Sequence, residues 1–198
     1  MNALDLFTGN GGMAKGMGHA GFTVYGVDLV ARPGNPCLFR QADVRDVKGD
    51  ELPRMDWIHA SPPCQRFSLA RAGRVADPPT EEDLGLLRAA LRIIRENRPT
   101  FWSVENVRGA RPFFEKEMGP ATFHHGPFWF WGRFPSFLVE SSGLRKGIYG
   151  SKSPTTARLG KQTKPKDPWA SSELPIQLTR PMAMAVAEAC GNLDGEDK

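Results

Sequence analysis

Cys64 carries the strongest chemical signal in the chain because of its neighbours. It sits in Ala60-Ser61-Pro62-Pro63-Cys64-Gln65-Arg66-Phe67-Ser68, directly after the apolar run from Met55 to Ala60. That run reads as a short buried strand, and the two prolines stop it and stiffen the turn. A thiol is thereby presented at a strand's C-terminal end, where open α/β sheets hold their ligands. A lone cysteine is more often a small buried hydrophobe, but a core cysteine needs neither Pro-Pro before it nor Gln-Arg-Phe-Ser after it. Glu105 is the second such residue. It follows the strand-like Phe101 to Val104 and opens Glu105-Asn106-Val107, so a parallel sheet should bring it to the edge that presents Cys64. A thiol nucleophile beside a carboxyl suggests covalent attack on an electron-poor ring, with the carboxyl supplying or sharing a proton. The competing reading of Glu105 is a helix cap or a salt-bridge partner of Arg108.

A third group of residues precedes both. Asp5-Leu6-Phe7-Thr8-Gly9-Asn10-Gly11-Gly12 follows the first apolar stretch and opens a helix. Glycines there let the backbone approach a ligand, and a helix N-terminus offers unpaired N–H groups. Nucleotide, flavin and S-adenosylmethionine binders share such turns. Asp28 ends the second strand, where an acid can accept from a ribose diol. Asp43 ends the next apolar stretch, where it could accept from an adenine amino group. Each aspartate could instead be a cap or turn residue.

These residues need a scaffold that gathers strand ends at one edge, and the chain has its pattern. Strands are expected over Ala3 to Phe7, Phe22 to Val27, Cys37 to Arg40, Asp56 to His59 and Phe101 to Val104. A glycine-rich helix is expected from Gly12 to His19. A second is capped by Thr80, with Glu81, Glu82 and Asp83 in its first turn and Leu84, Leu87, Leu91 and Ile94 at helical spacing. Asn97 and Pro99 end it. Alternating strands and helices imply a doubly wound, mostly parallel α/β sheet. The aromatic stretch from His124 to Phe137 suggests antiparallel strands or a hairpin, Lys146 to Ser172 a loop, and Met182 to Cys190 a closing helix. Residues 1–122 then form the cofactor-binding and catalytic core. Residues 123–192 form an irregular, partly antiparallel extension of the same domain, and 193–198 a polar tail.

Composition agrees. The chain has 198 residues, 40% of them hydrophobic and 24% charged, which suits one globular domain. Three cysteines make no disulfide framework. No run suits a signal peptide or a membrane span, so a cytoplasmic protein is expected, bacterial or phage-encoded. Net charge is +4, yet Arg145 to Pro168 alone carries +6. A basic segment in one place is the footprint of a polyanion, or simply a solvated loop.

The order Asp-Leu-Phe-Thr-Gly-Asn-Gly-Gly, Ser-Pro-Pro-Cys-Gln-Arg-Phe-Ser and Glu-Asn-Val resembles the C5-cytosine DNA methyltransferases, in particular compact forms from phage genomes. The resemblance runs from about Leu4 to Arg108. It implies the S-adenosylmethionine-dependent methyltransferase (Rossmann-like) fold and methyl transfer to C5 of cytosine on a base flipped out of double-stranded DNA. Phe7, Thr8, Gly9, Gly11, Gly12, Asp28, Leu29, Asp43, Val44 and Pro63 would line the S-adenosylmethionine pocket. Cys64 would attack C6 of the ring, and Glu105 would hold N3 and the amino group. Gln65, Arg66, Ser68, Arg71, Arg74 and Asn106 would face the substrate, the loop around Gly73 acting as a flap. Arg133, Arg158, Lys161 and Lys164 would contact DNA. The chain departs from the family at its Gln-x-Arg-x-Arg element, where it reads His124-His125-Gly126-Pro127-Phe128-Trp129. His125, Arg133, Arg145 or Arg158 could replace the arginine. Rival readings are the same chemistry on tRNA, or a catalytically weak DNA-binding homologue. A monomer with no metal is expected, since nothing joins the paired histidines at ligand spacing.

Overall fold

The computed structural model describes residues 1–67, 79–139 and 174–195. Its elements run β1 (Asn2–Leu6), α1 (Gly12–His19), β2 (Thr23–Asp28), β3 (Leu38–Gln41), β4 (Trp57–Ala60), α2 (Glu81–Asn97), β5 (Phe101–Val107), α3 (Arg111–Met118), β6 (Phe123–His125), β7 (Phe128–Arg133) and α4 (Ile176–Gly195). The strands form one sheet in the order β3-β2-β1-β4-β5-β7-β6. β1 to β5 are mutually parallel, and β7 runs antiparallel to both β5 and β6. This is the expected doubly wound, Rossmann-like sheet with an antiparallel ending.

Side-chain alternation divides the core into two layers. One face buries Leu4, Leu6, Ile58, Val104 and Trp131 against Leu87 and Ile93 of α2 and Phe114 of α3. The other buries Ala3, Trp57 and Phe130 against Met13 and Met17 of α1 and Leu178 and Met182 of α4. Both faces of the central strands are covered, so β4 is buried at every position. The parallel strands all end at one edge, and the chemistry collects there.

The helix boundaries follow local rules. Thr80 accepts from the Asp83 N–H, and Asp83 accepts in return from the Thr80 N–H, a full capping box. The helix stops at Arg98, whose φ of 54° is left-handed. β1 to β4 lie within one residue of their expected spans, and three elements depart further. β5 continues through Glu105 and Asn106 to Val107, because β7 pairs with it over that length. α4 begins at Ile176 and contains Pro181. α3 had no counterpart in the sequence reading, although Pro112 in its first turn and Gly119 at its end mark it.

Candidate active site

The parallel register sets the geometry. Ala60 at the end of β4 pairs with Leu6 of β1 and with Val104 of β5. The glycine loop after β1, Cys64 after β4, and Glu105 one residue beyond Val104 therefore share the C-terminal edge. The turn bearing Cys64 is pinned from both sides. Asn106 Nδ2 donates to the Pro62 carbonyl at 2.9 Å, and the Phe67 N–H donates to the Cys64 carbonyl at 3.0 Å. Phe67 is buried, its ring packed on Phe113 and Phe114. Cys64 and Gln65 are half-buried, while Pro63 and Arg66 are exposed; the Arg66 guanidinium comes within 4.0 Å of Asp83.

Glu105 is buried inside β5 and is neither a cap nor a partner of Arg108. Burial pushes its carboxyl up to about 7, against a hydrogen bond from Ser61 that acts the other way. Burial also pushes the Cys64 thiol up, and the charge of Glu105 adds to that shift. Thiol and carboxyl thus feel each other. Negative charge on Glu105 opposes a thiolate at Cys64, and a proton on Glu105 relieves it.

The glycine loop is strained and tied down. Phe7 has a φ of 62°, left-handed for a bulky residue. The Phe7 and Thr8 N–H groups both donate to the Val27 carbonyl, at 2.9 and 3.3 Å. Asp28 Oδ2 accepts from the Gly9 N–H at 2.9 Å, and Asp28 Oδ1 from the Val30 N–H at 3.1 Å. Gly11 caps α1 in the left-handed conformation and has no side chain of its own to accept from the helix, while the Ala14 N–H in the first turn favours the charged form of the Asp5 carboxyl. Gly11 and Gly12 are buried, as is Thr8, whose hydroxyl donates to the Asp5 carbonyl at 2.8 Å. Asp5 is buried with its Oδ2 unpartnered, and burial pushes its carboxyl up to about 8.

The adenine-side candidates divide. Asp43 caps the short 3-10 turn Val44–Asp46, and the Arg45 guanidinium and backbone N–H hold its carboxyl below the ordinary range. Val44 is buried and Leu29 is 59% exposed at the rim.

Two candidates for the substrate face spend their polar groups within the fold. Asn106 spends its amide on Pro62 and its oxygen on the Val107 N–H, and its side chain is buried; it shapes the Cys64 turn. Arg133 pairs with Trp102 at the start of β5. That is the opposite edge of the sheet, where its Nη2 donates to the Pro99 carbonyl at 3.0 Å. In the His-His segment, His124 stacks on Trp129 with ring centroids 4.4 Å apart, and Arg111 lies over the Trp129 ring. All of these lie on the Asn106 face of the sheet. Ser68, Arg71, Gly73, Arg74, Arg145, Arg158, Lys161 and Lys164 fall outside the described residues.

The family model for C-5 cytosine-specific DNA methylase matches residues 1–118, which contain the glycine loop, Cys64 and Glu105. The chain belongs to that family. Among curated proteins it is 31% identical over 120 residues to Type II methyltransferase M.FnuDI of Fusobacterium nucleatum, covering 55% of this chain and 33% of that protein. It is 30% identical to M.NgoPII of Neisseria gonorrhoeae over 55% of this chain and 34% of that one. The chain therefore spans about a third of the length of these relatives. A solved structure described as a DNA modification methyltransferase encoded within an Escherichia coli prophage is 26% identical over 59% of this chain and 35% of its own, with a TM-score of 0.47.

Sequence reasoning missed Asp5, Ser61, His59 and Ser103. Asp5 lay within the quoted motif. Ser103 lies two residues before Glu105, and strand alternation alone puts them on one face.

Proposed function

We propose that this chain methylates C5 of cytosine in double-stranded DNA, using S-adenosylmethionine. The observation that carries the reading is the pairing of Cys64 with a buried Glu105 whose carboxyl is pushed up to about 7. A carboxyl near 7 can donate a proton at neutral pH, whereas an ordinary glutamate is ionised.

The pocket residues suit the cofactor. The N-terminus of α1, the left-handed Phe7–Gly9–Gly11 backbone and the orphaned Asp5 Oδ2 leave room for close approach and an unspent acceptor. Asp28 retains lone pairs for a ribose diol beside its two backbone bonds. When bound, S-adenosylmethionine supplies an electrophilic methyl group.

On the base, the Cys64 sulfur bonds to C6 and ring electrons move toward N3, where the proton of Glu105 stabilises them. C5 becomes nucleophilic and takes the methyl. Water takes the C5 proton, Cys64 leaves C6 as its thiolate, and the proton shared at N3 returns to Glu105, which restores the ring. The base must leave the duplex for Cys64 to reach C6. A proton on Glu105 also relieves the charge that opposes the Cys64 thiolate, so one protonation serves both residues.

The test is methyl transfer from labelled S-adenosylmethionine to duplex DNA, with tRNA in parallel and nucleoside analysis of the product. Label recovered as 5-methylcytosine in DNA is the expected result. Label in tRNA alone would move the substrate, and label in neither would remove the activity.

A further inference from the structure

Behind Glu105 the sheet carries a line of polar side chains that the chemistry above does not use. The register of β4 and β5 puts Trp57, His59, Ser103 and Glu105 on one face, with His59 and Ser103 as cross-strand partners. Trp57, His59 and Ser103 are fully buried. Trp57 Nε1 donates to Ser103 Oγ at 3.1 Å. Ser103 Oγ lies 2.8 Å from His59 Nδ1, and His59 Nε2 lies 2.9 Å from Ser61 Oγ. The register sets Ser61, one residue past Ala60, beside Glu105, one residue past Val104, and the Ser61 hydroxyl favours the charged form of that carboxyl.

Counting protons decides the direction of this chain. The indole N–H can only donate, and each serine has one hydrogen to give. Suppose Nδ1 of His59 carried the proton. It would donate to Ser103, whose own hydrogen would have no acceptor in a buried site, and Nε2 would draw the Ser61 hydrogen away from Glu105. With the proton on Nε2, Ser103 donates to Nδ1 and Nε2–H fills the Ser61 oxygen. The Ser61 hydrogen is then left for Glu105, and every group is satisfied. Burial keeps the ring neutral, pushing its pKa down to about 3.

We propose that His59 is a positioning residue for Glu105: held as the Nε2–H tautomer by Ser103, it aims the Ser61 hydroxyl at the carboxyl and fixes that carboxyl's orientation toward the base. The proposal rests on the function proposed above. Donation from Ser61 favours the charged carboxyl and so offsets part of the effect of burial. Cys64 is coupled to Glu105 at this edge, and the buried Asp5, register partner of His59 on β1, shares that face of the sheet.

Nitrogen-15 NMR of the full chain, with the His59 ring assigned through its backbone, tests the tautomer directly. A bare Nδ1 and a protonated Nε2, unchanged from about pH 6 to 9, is the expected result. A proton on Nδ1, or an imidazolium at pH 6, would overturn the proposal. Ser103→Ala supplies the functional arm, with Ser103→Thr as the conservative rescue. In methyl transfer to DNA, Ser103→Ala should lower kcat roughly tenfold and leave KM for S-adenosylmethionine unchanged. Its alkaline limb should move up by about one pH unit, since Glu105 loses a bond to its charged form. Ser103→Thr should restore both. A Ser103→Ala pH profile matching that of the unmodified chain would sink the proposal. Absence of methyl transfer by the unmodified chain would sink the proposed function instead, and the tautomer would still decide the role of His59.

Discussion

The charge of Glu105 bears on the Cys64 thiol, and each residue's role can be separated by substitution. Cys64→Ser keeps the size and polarity of the turn but removes a strong nucleophile. Product formation should fall by at least about a thousandfold, while S-adenosylmethionine affinity by calorimetry stays within about twofold of the unmodified chain. Turnover at the original rate would take Cys64 out of the mechanism. Asp5 offers a different readout. Its buried carboxyl titrates near 8 when folded and near 3.8 otherwise, so the folded chain holds the proton more tightly. Its contribution to stability is complete below about pH 3.8 and is lost as pH rises through 8. Glu105 behaves alike but is finished near 7. His59 acts oppositely, losing stability only as pH falls below its ordinary 6.5. Between pH 7 and 8 Asp5 therefore dominates among these three. Denaturant melts should show stability falling there by roughly 1.4 kcal/mol per pH unit. In Asp5→Asn that slope should disappear; an equal slope would place the titrating group elsewhere.

The antiparallel pair β5–β7 is the element on which the site depends most, since it fixes how far β5 extends and so where Glu105 lies. Gly132 makes the pair possible. Its φ is 134°, and a Cβ there would collide with the Trp102 carbonyl oxygen on the neighbouring strand. Gly132→Ala should cost about 3 kcal/mol, lowering Tm by roughly 6–12 °C; an unchanged Tm would mean the strand can shift without penalty. This element also shows what a sequence can and cannot disclose. Thr80 and its acidic first turn announced α2, because a capping box is local. The glycine loop, Cys64 and Glu105 were legible because strand ends punctuate the chain. The full length of β5 was not, because it is set by pairing with β7, a partner remote in sequence. The place of Arg133 was hidden for the same reason: only the antiparallel direction of β7 sets it at the far edge. The chain linking Trp57 to Glu105 alternates between two strands, so no single stretch of sequence displays it.

For the molecule as a whole, charge distribution governs how DNA would be met. The segment from Arg145 to Pro168 carries +6 within a chain of net +4. Phosphate contacts made by it would release counterions on binding. Replacing Lys161, Lys164 and Lys166 by alanine should reduce the slope of log affinity against log salt by about 2.7, measured by fluorescence anisotropy on duplex DNA. An unchanged slope would put this segment away from the interface. The cover formed by α4 has a separate consequence. Thr179 packs directly against Gly16 of α1, where even a methyl group would not fit. The layer that shields Trp57 and Met17 is thus assembled from the first and last helices. During synthesis the glycine loop emerges early and α1 can lie on the sheet, but the cover over this layer is completed only when residues 176–195 follow. A chain interrupted before them exposes an apolar face that invites chaperones or aggregation.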